Sequence, residues 1–149
     1  MSKKVIAMGN TLMKDDAIGI EVAKEIEEKL LKKGIEVIYG ETDVQYSMSN
    51  VQEDDYIFIL DAAYYGKDPG KIMYLPLNNF VSTKKRCSAH SYSFLDLLKL
   101  YYPSVKGEIY AVEIEEVEFG IGLSSGLQEK LKVISEEILD KIEKSIGKE

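Results

Sequence analysis

The stretch Tyr56-Ile57-Phe58-Ile59-Leu60, followed directly by Asp61, determines the fold predicted for this chain. Five consecutive apolar residues suit a strand that is buried on both faces, as in the centre of a parallel sheet. Parallel strands are joined by crossovers that run over the sheet, usually as helices. The stretch therefore predicts further strands alternating with helices on either side of it.

The spacing of apolar residues along the rest of the chain indicates such alternating strands and helices. Short apolar or alternating runs predict strands, and repeats of three to four residues predict amphipathic helices. The predicted strands cover residues 3–8, 35–39, 56–60, 72–75 and 107–117. The predicted helices cover residues 18–33, 44–51, 127–146 and a stretch from Ser91 or Ser93 to about 102, and Gly34 is expected to end the first of them.

We expect one α/β domain over residues 1–149, because no composition break or repeat suggests a second. Its architecture is three-layer αβα, with an open, mostly parallel twisted sheet of about five strands flanked by helices on both faces. In a flavodoxin-like strand order, the first and third strands would flank the ligand crevice.

Charge and hydropathy exclude several classes of partner. The formal net charge is −7, and the only basic cluster is Lys84-Lys85-Arg86. Because that cluster is small and the net charge is negative, we expect neither nucleic acid nor an anionic membrane as a partner. The cluster itself is either part of a solvated loop or a docking patch for an acidic surface. No apolar run is long enough to span a bilayer or to act as a secretory signal, so the expected location is the cytoplasm.

Acidic residues and the only histidine are expected at one end of the sheet. Asp15 and Asp16 lie in the loop after the first strand, Asp61 ends the third strand, and His90 lies in a loop before a helix. Ligands of open α/β sheets bind at the carboxyl ends of the strands. Two carboxylates and an imidazole suit a divalent transition metal such as nickel or zinc better than calcium or magnesium. Three protein ligands would leave positions open for a substrate.

Each of these residues also has a simpler explanation. Asp15 or Asp16 would suit the N-cap of the first helix. Asp61 could be a solvated turn residue and His90 a surface histidine. Cys87 would need His90 as its base to act as a nucleophile, and Ser124-Ser125 lack the surroundings of a serine triad, so neither is favoured.

Four segments resemble a known family. The run from Gly9 to Asp16 followed by Gly19 is similar to the G-N-x-L-x-x-D-[DE]-x-x-G signature of nickel–iron hydrogenase maturation endopeptidases. Leu60-Asp61-Ala62, Ser88-Ala89-His90 and Gly120-Ile121-Gly122-Leu123-Ser124 resemble the family's strand-end aspartate, histidine loop and G-x-x-L-S element. The segments occur in the family's order and span nearly the whole chain.

The resemblance implies a function and a site. Family members remove a C-terminal extension from the precursor of the hydrogenase large subunit, after nickel has entered the nickel–iron centre. The corresponding catalytic and metal-contacting residues here are Asp16, Asp61 and His90. The nickel is then supplied by the nickel-loaded precursor, and ions such as zinc or cadmium are expected to occupy the site of the isolated protein.

The chain also departs from the family pattern. Asp16 stands where many members have glutamate, and Ala17 replaces a common glycine. The segment Gly40-Glu41-Thr42-Asp43-Val44 lacks the later glycine that the family often has there. In the family that loop is tied to substrate handling, so we expect the precursor recognised to differ from that of the best-known members.

Two alternatives from other classes remain. A phospho-receiver signalling domain would use Asp61 as its phosphate acceptor, but residues 112–120 contain neither the lysine nor the proline expected near the end of its fifth strand. A non-catalytic, metal-binding α/β module would bind a divalent ion and leave a hydrogenase precursor uncut. The sequence does not separate this module from an endopeptidase.

Overall fold

A computed structural model describes residues 2–77 and 89–147, the latter without the side chains of Ala89 and His90. The strands are β1 (Lys3–Met8), β2 (Glu36–Glu41), β3 (Tyr56–Ala63), β4 (Ile72–Pro76) and β5 (Lys106–Glu113). The helices are α1 (Ile18–Lys32), α2 (Val44–Ser49), α3 (Ala89–Tyr101) and α4 (Ser125–Ile146), and a 3-10 turn covers Lys14–Ala17. Most of the predicted loop over residues 78–89, including the basic cluster at 84–86 and Cys87, lies outside the described residues.

The described strands form one five-stranded sheet in the order β2-β1-β3-β5-β4. β1, β2, β3 and β5 run parallel, and only β4 is antiparallel to its neighbour β5. The predicted mostly parallel sheet is confirmed, and β1 does lie beside β3. The flavodoxin-like order is wrong for the last two strands, because the eight residues between Ala63 and Ile72 are too few for a helical crossover to a parallel strand.

Helices cover both faces of the sheet, which confirms the three-layer prediction. One apolar cluster joins α1 and α4 to alternate residues of β3, among them Phe58 and Leu60. The second joins α2 and α3 to the opposite face, which includes Ile57 and Ile59. β3 is therefore buried on both sides, as its unbroken apolar run predicted. No helix of the described residues is long and apolar enough to cross a membrane.

Several predicted boundaries need correction. β3 continues two residues past Asp61 to Ala63, and α3 begins at Ala89, before the predicted serines. β5 ends at Glu113, although alternation had predicted a strand to residue 117. The residues after Glu113 leave the sheet because they bond to the loop that follows β1 instead.

Gly19 fixes how closely α1 approaches the central strand. A β-carbon at this position would lie 2.5 Å from the carbonyl oxygen of Leu60, the residue before Asp61. The start of the helix and the strand that carries Asp61 are thus in direct backbone contact. Only glycine permits this approach without moving one of the two elements.

We expect Gly19→Ala to lower the free energy of unfolding by about 1–3 kcal/mol, since the added methyl group must displace backbone. Chemical denaturation measures the change. Gly147→Ala is the matched control, because a β-carbon there would be 3.5 Å from its nearest neighbour and φ is −64°. Equal stability of the two variants would contradict the packing argument.

Candidate functional site

The loop after β1 folds tightly because its first residue is glycine. Gly9 has a φ of +146°, and a β-carbon there would lie 2.2 Å from the carbonyl oxygen of Asp16. The side chain of Asn10 accepts a hydrogen bond from the backbone N–H of Leu12 at 2.9 Å, which shapes the turn. The chain therefore comes back on itself, and Asp16 lies against the end of β1.

Asp16 is almost fully buried and has two described donors. The backbone N–H of Asn10 donates to Oδ2 at 2.8 Å, and the hydroxyl of Tyr64 donates to Oδ1. Its carboxylate therefore points back to its own loop and to the residues after β3. The expected role of Asp16 as the N-cap of α1 is wrong, because Ala17 is the N-cap and no side chain caps this helix.

Asp15, its neighbour, has other partners and joins two loops that are distant from it in sequence. It is fully buried, and its carboxylate accepts hydrogen bonds from the backbone N–H groups of Glu115, Glu116 and Ser124 at 2.7–3.1 Å. The hydroxyl of Ser124 donates a fourth bond at 2.8 Å. These bonds connect the acidic signature to the G-x-x-L-S element, so two of the family-like segments form one structural unit.

Asp61 is a buried carboxylate near the end of the central strand. Its exposed fraction is 2%, so it is not the solvated turn residue that the simpler explanation required. The N–H of Ala62 donates to Oδ1 at 2.8 Å, and the side chain of Ser91 also hydrogen-bonds to the carboxylate. Burial, together with the charge of Asp16, raises the pKa of Asp61 to about 7, although these two hydrogen bonds act in the opposite direction.

Tyr64 donates to Asp16 and lies near enough to Asp61 to feel its charge. Burial, its bond to Asp16 and the charges of Asp16, Asp61 and Asp15 all raise the pKa of its hydroxyl, which therefore stays protonated and donates. The structure thus places Asp16 and Asp61 close enough to interact electrostatically. Sequence reasoning missed Tyr64 and Ser91. The only feature of the sequence that could have indicated them is their position, since Tyr64 lies three residues after Asp61 and Ser91 one residue after His90.

The third predicted residue, His90, is described only by its backbone. It is the second residue of α3, and Ser91, which follows it, bonds to Asp61. The first turn of α3 therefore lies beside Asp61. Among the side chains that the structure describes, no group of three histidines, cysteines, aspartates or glutamates could hold a metal ion. A three-residue site at this place therefore needs the His90 imidazole in addition to the two carboxylates.

A family model for hydrogenase maturation proteases (HycI) matches residues 20–141 of the chain. The chain belongs to the hydrogenase maturation protease family. The matched stretch contains Asp61 and His90, and it begins four residues after Asp16. Membership in this family, together with the antiparallel β4, rules against the receiver fold, in which the strand order is 2-1-3-4-5.

Individual relatives agree with this assignment. The hydrogenase expression/formation protein HoxM of Azotobacter vinelandii is 28% identical over 64% of this chain and 48% of its own length, so the chain spans about half of that relative. The hydrogenase 2 maturation protease of Escherichia coli K12 is 25% identical over 95% of this chain and 90% of its own length. The structure of the E. coli hydrogenase maturating endopeptidase HybD has the same fold, with a TM-score of 0.81, 23% identity and coverage of 97% and 94% of the two chains.

The position of Asp15 leads to a stability prediction for this member of the family. Asp15→Ala removes the partner of three backbone N–H groups and one hydroxyl, and an unpartnered buried donor costs about 1–3 kcal/mol. We expect the free energy of unfolding to fall by more than about 2 kcal/mol, measured by urea denaturation. The exposed Asp68→Asn is the control. A loss below about 0.5 kcal/mol would show that Asp15 does not hold the loops together.

The buried carboxylate of Asp61 leads to a pH-dependence prediction. Its pKa is raised from 3.8 to about 7 on folding, so between these values the folded state keeps a proton that the unfolded state has lost. Asp61 therefore makes stability fall as pH rises through this window, by up to about 4 kcal/mol, and contributes no further change above it.

Comparison with Asp61→Asn isolates this effect. The free energy of unfolding of the wild type, minus that of the variant, should decline from pH 4 to pH 7 and level off above. Asp68→Asn should follow the wild type at every pH, because that side chain is exposed. Parallel curves for wild type and Asp61→Asn would show that Asp61 ionises normally in the folded protein.

Proposed function

We propose that this protein is an endopeptidase that removes the C-terminal extension of a nickel–iron hydrogenase large-subunit precursor after nickel insertion. The observation that carries the proposal is the meeting of Asp16 and Asp61 at the carboxyl end of the sheet. They arrive from separate segments, and the first turn of α3, which contains His90, lies beside them. Membership in the hydrogenase maturation protease family supports the same reaction class.

The chemistry of this pair suits contact with a cation that the substrate brings. Asp61 is buried near a second carboxylate, so its charged form is disfavoured until a positive charge arrives. A nickel ion in the precursor would supply that charge, lower the pKa of Asp61 and bind the carboxylates together with the imidazole of His90. The site would then discriminate between loaded and empty precursor. In the isolated protein, zinc or cadmium would fit the same ligands.

Tyr64 and Ser91 are the groups that orient these ligands. Tyr64 donates to Asp16 and Ser91 bonds to Asp61, so each carboxylate is held by a neighbour. Carboxylate oxygens have two lone pairs, and one hydrogen bond leaves the other free for a cation. Such partners fix ligand orientation in many metal sites.

Two routes to peptide hydrolysis fit this arrangement. The nickel of the substrate can polarise the scissile carbonyl or activate a water, or a carboxylate such as Asp16 can take the proton from the attacking water. In each route the water oxygen bonds to the carbonyl carbon, the carbon–nitrogen bond breaks and the leaving amine takes up a proton.

The deciding experiment measures the intact mass of a nickel-loaded large-subunit precursor, from the same cell, before and after the protein is added. We expect the mass to fall by that of a C-terminal peptide, and nickel-free precursor to stay intact. Asp61→Ala should lower the rate at least about 100-fold. Asp68→Asn, an exposed aspartate exchanged outside the site, should process normally.

The outcomes separate the parts of the proposal. Cleavage of both precursor forms would leave an endopeptidase without nickel recognition. Processing at the normal rate by Asp61→Ala would overturn the site assignment. No cleavage of the loaded precursor by the wild type, with binding retained, would identify a non-catalytic metal-binding module.

A further inference from the structure

The segment of residues 116–121, which we call the rim segment, has contacts to Lys14 on one side and exposed apolar side chains on the other. Its even-numbered side faces Lys14: the Lys14 ammonium pairs with Glu116 at 3.0 Å and Glu118 at 3.1 Å, and a β-carbon on Gly120 would touch the same side chain at 3.2 Å. Its odd-numbered side chains, Val117, Phe119 and Ile121, are 44%, 81% and 86% exposed. The apolar side of the rim segment is therefore turned to solvent.

Backbone contacts hold the rim segment in this orientation. The N–H of Lys14 donates to the carbonyl of Gly120 at 3.0 Å, and the N–H of Gly120 donates to the carbonyl of Leu12 at 2.8 Å. Met13 and Gly120 form a parallel β-bridge, and Asp15 accepts the N–H of Glu116. The exposed side chains of Val117, Phe119 and Ile121 thus belong to a surface held by backbone hydrogen bonds, which distinguishes them from scattered apolar residues on a loose loop.

The rim segment borders the candidate site. Its backbone partners lie in the same loop as Asp16, and the side chain of Leu12 in that loop is also 48% exposed. Ile121 lines a cleft of about 310 Å³ whose other walls include Thr11 and Ala17, the residue after Asp16. A partner that covers Phe119 and Ile121 would therefore also reach the loop that carries Asp16.

Charge around this surface restricts the occupant. Glu115, Glu116 and Glu118 are exposed. Two ion pairs are described for this group, and Lys14 is the cation in each of them. A second copy docked through the same face would bring a second set of these glutamates into one interface, in a protein of formal net charge −7. Like charges across an interface oppose association, whereas a partner with lysine or arginine at the border would be complementary.

We propose that Leu12, Val117, Phe119 and Ile121 form the docking face for the hydrogenase precursor, and that they contact an apolar patch bordered by basic residues. This inference rests on the proposed function, since it names the surface through which the same substrate is held. The apolar side chains supply binding energy, and the glutamates favour the correct orientation. Docking at this face sets the concentration dependence of processing and leaves the hydrolytic groups unchanged.

The test is the double variant Phe119→Gln/Ile121→Gln. Both side chains are exposed, so the substitutions should leave the backbone hydrogen bonds of the rim segment intact. With nickel-loaded precursor, we expect KM to rise at least about 10-fold and kcat to stay within about twofold of the wild type. Leu31→Gln is the matched control, since this 54% exposed leucine lies near the C-terminus of α1. It should process like the wild type.

Each result has a distinct meaning. Unchanged KM in the double variant, with normal cleavage by the wild type, would overturn the docking face and leave the endopeptidase intact. If the wild type binds the precursor without cutting it, and the double variant loses that binding, the docking face stands and the proposed function fails. A wild-type dimer in sedimentation that the double variant abolishes would assign the face to a second copy and overturn the inference.

Discussion

The side-chain carboxyl group of Asp15 is completely enclosed by the fold, and its hydrogen bonds join loops at the carboxyl end of the sheet. A buried carboxylate is tolerated only when hydrogen bonds replace its hydration. Three backbone N–H groups and the Ser124 hydroxyl do so here, and all four come from residues 115–124. Because Asp16 is the next residue, the same bonds that solvate Asp15 also fix where Asp16 can lie.

Three aspartates near one another thus differ in their surroundings. Asp15 is saturated with donors and is structural, and Asp16 has one backbone and one phenolic donor. Asp61 has two hydrogen bonds that burial outweighs, so its pKa rises to about 7. Environments that give neighbouring carboxylates different properties are typical of sites that bind cations or move protons. The difference among the three follows from the partners that each side chain meets.

Local sequence patterns predicted most of the fold and the proximity of Asp16 and Asp61 in the candidate site. The apolar run of β3 and the four-residue repeat of α1 are local signals, and both elements formed as expected. The partners of Asp15 lie about 100 residues away, so no local pattern could reveal them, and N-capping was the reasonable local interpretation. The swapped order of β4 and β5 likewise depends on a connection length whose consequence appears only in three dimensions.

The alternation after β5 shows where a correct pattern leads to a wrong conclusion. Alternating apolar residues normally mark the buried side of a strand, so a strand to residue 117 was expected. Here Lys14 and its two partly exposed glutamates line one side of the segment, and the side chains of Phe119 and Ile121 on the other side face water. Folding buries little of Phe119 and Ile121 in this orientation. Contact with the precursor at the docking face proposed above would bury these two side chains beside the Asp16 loop.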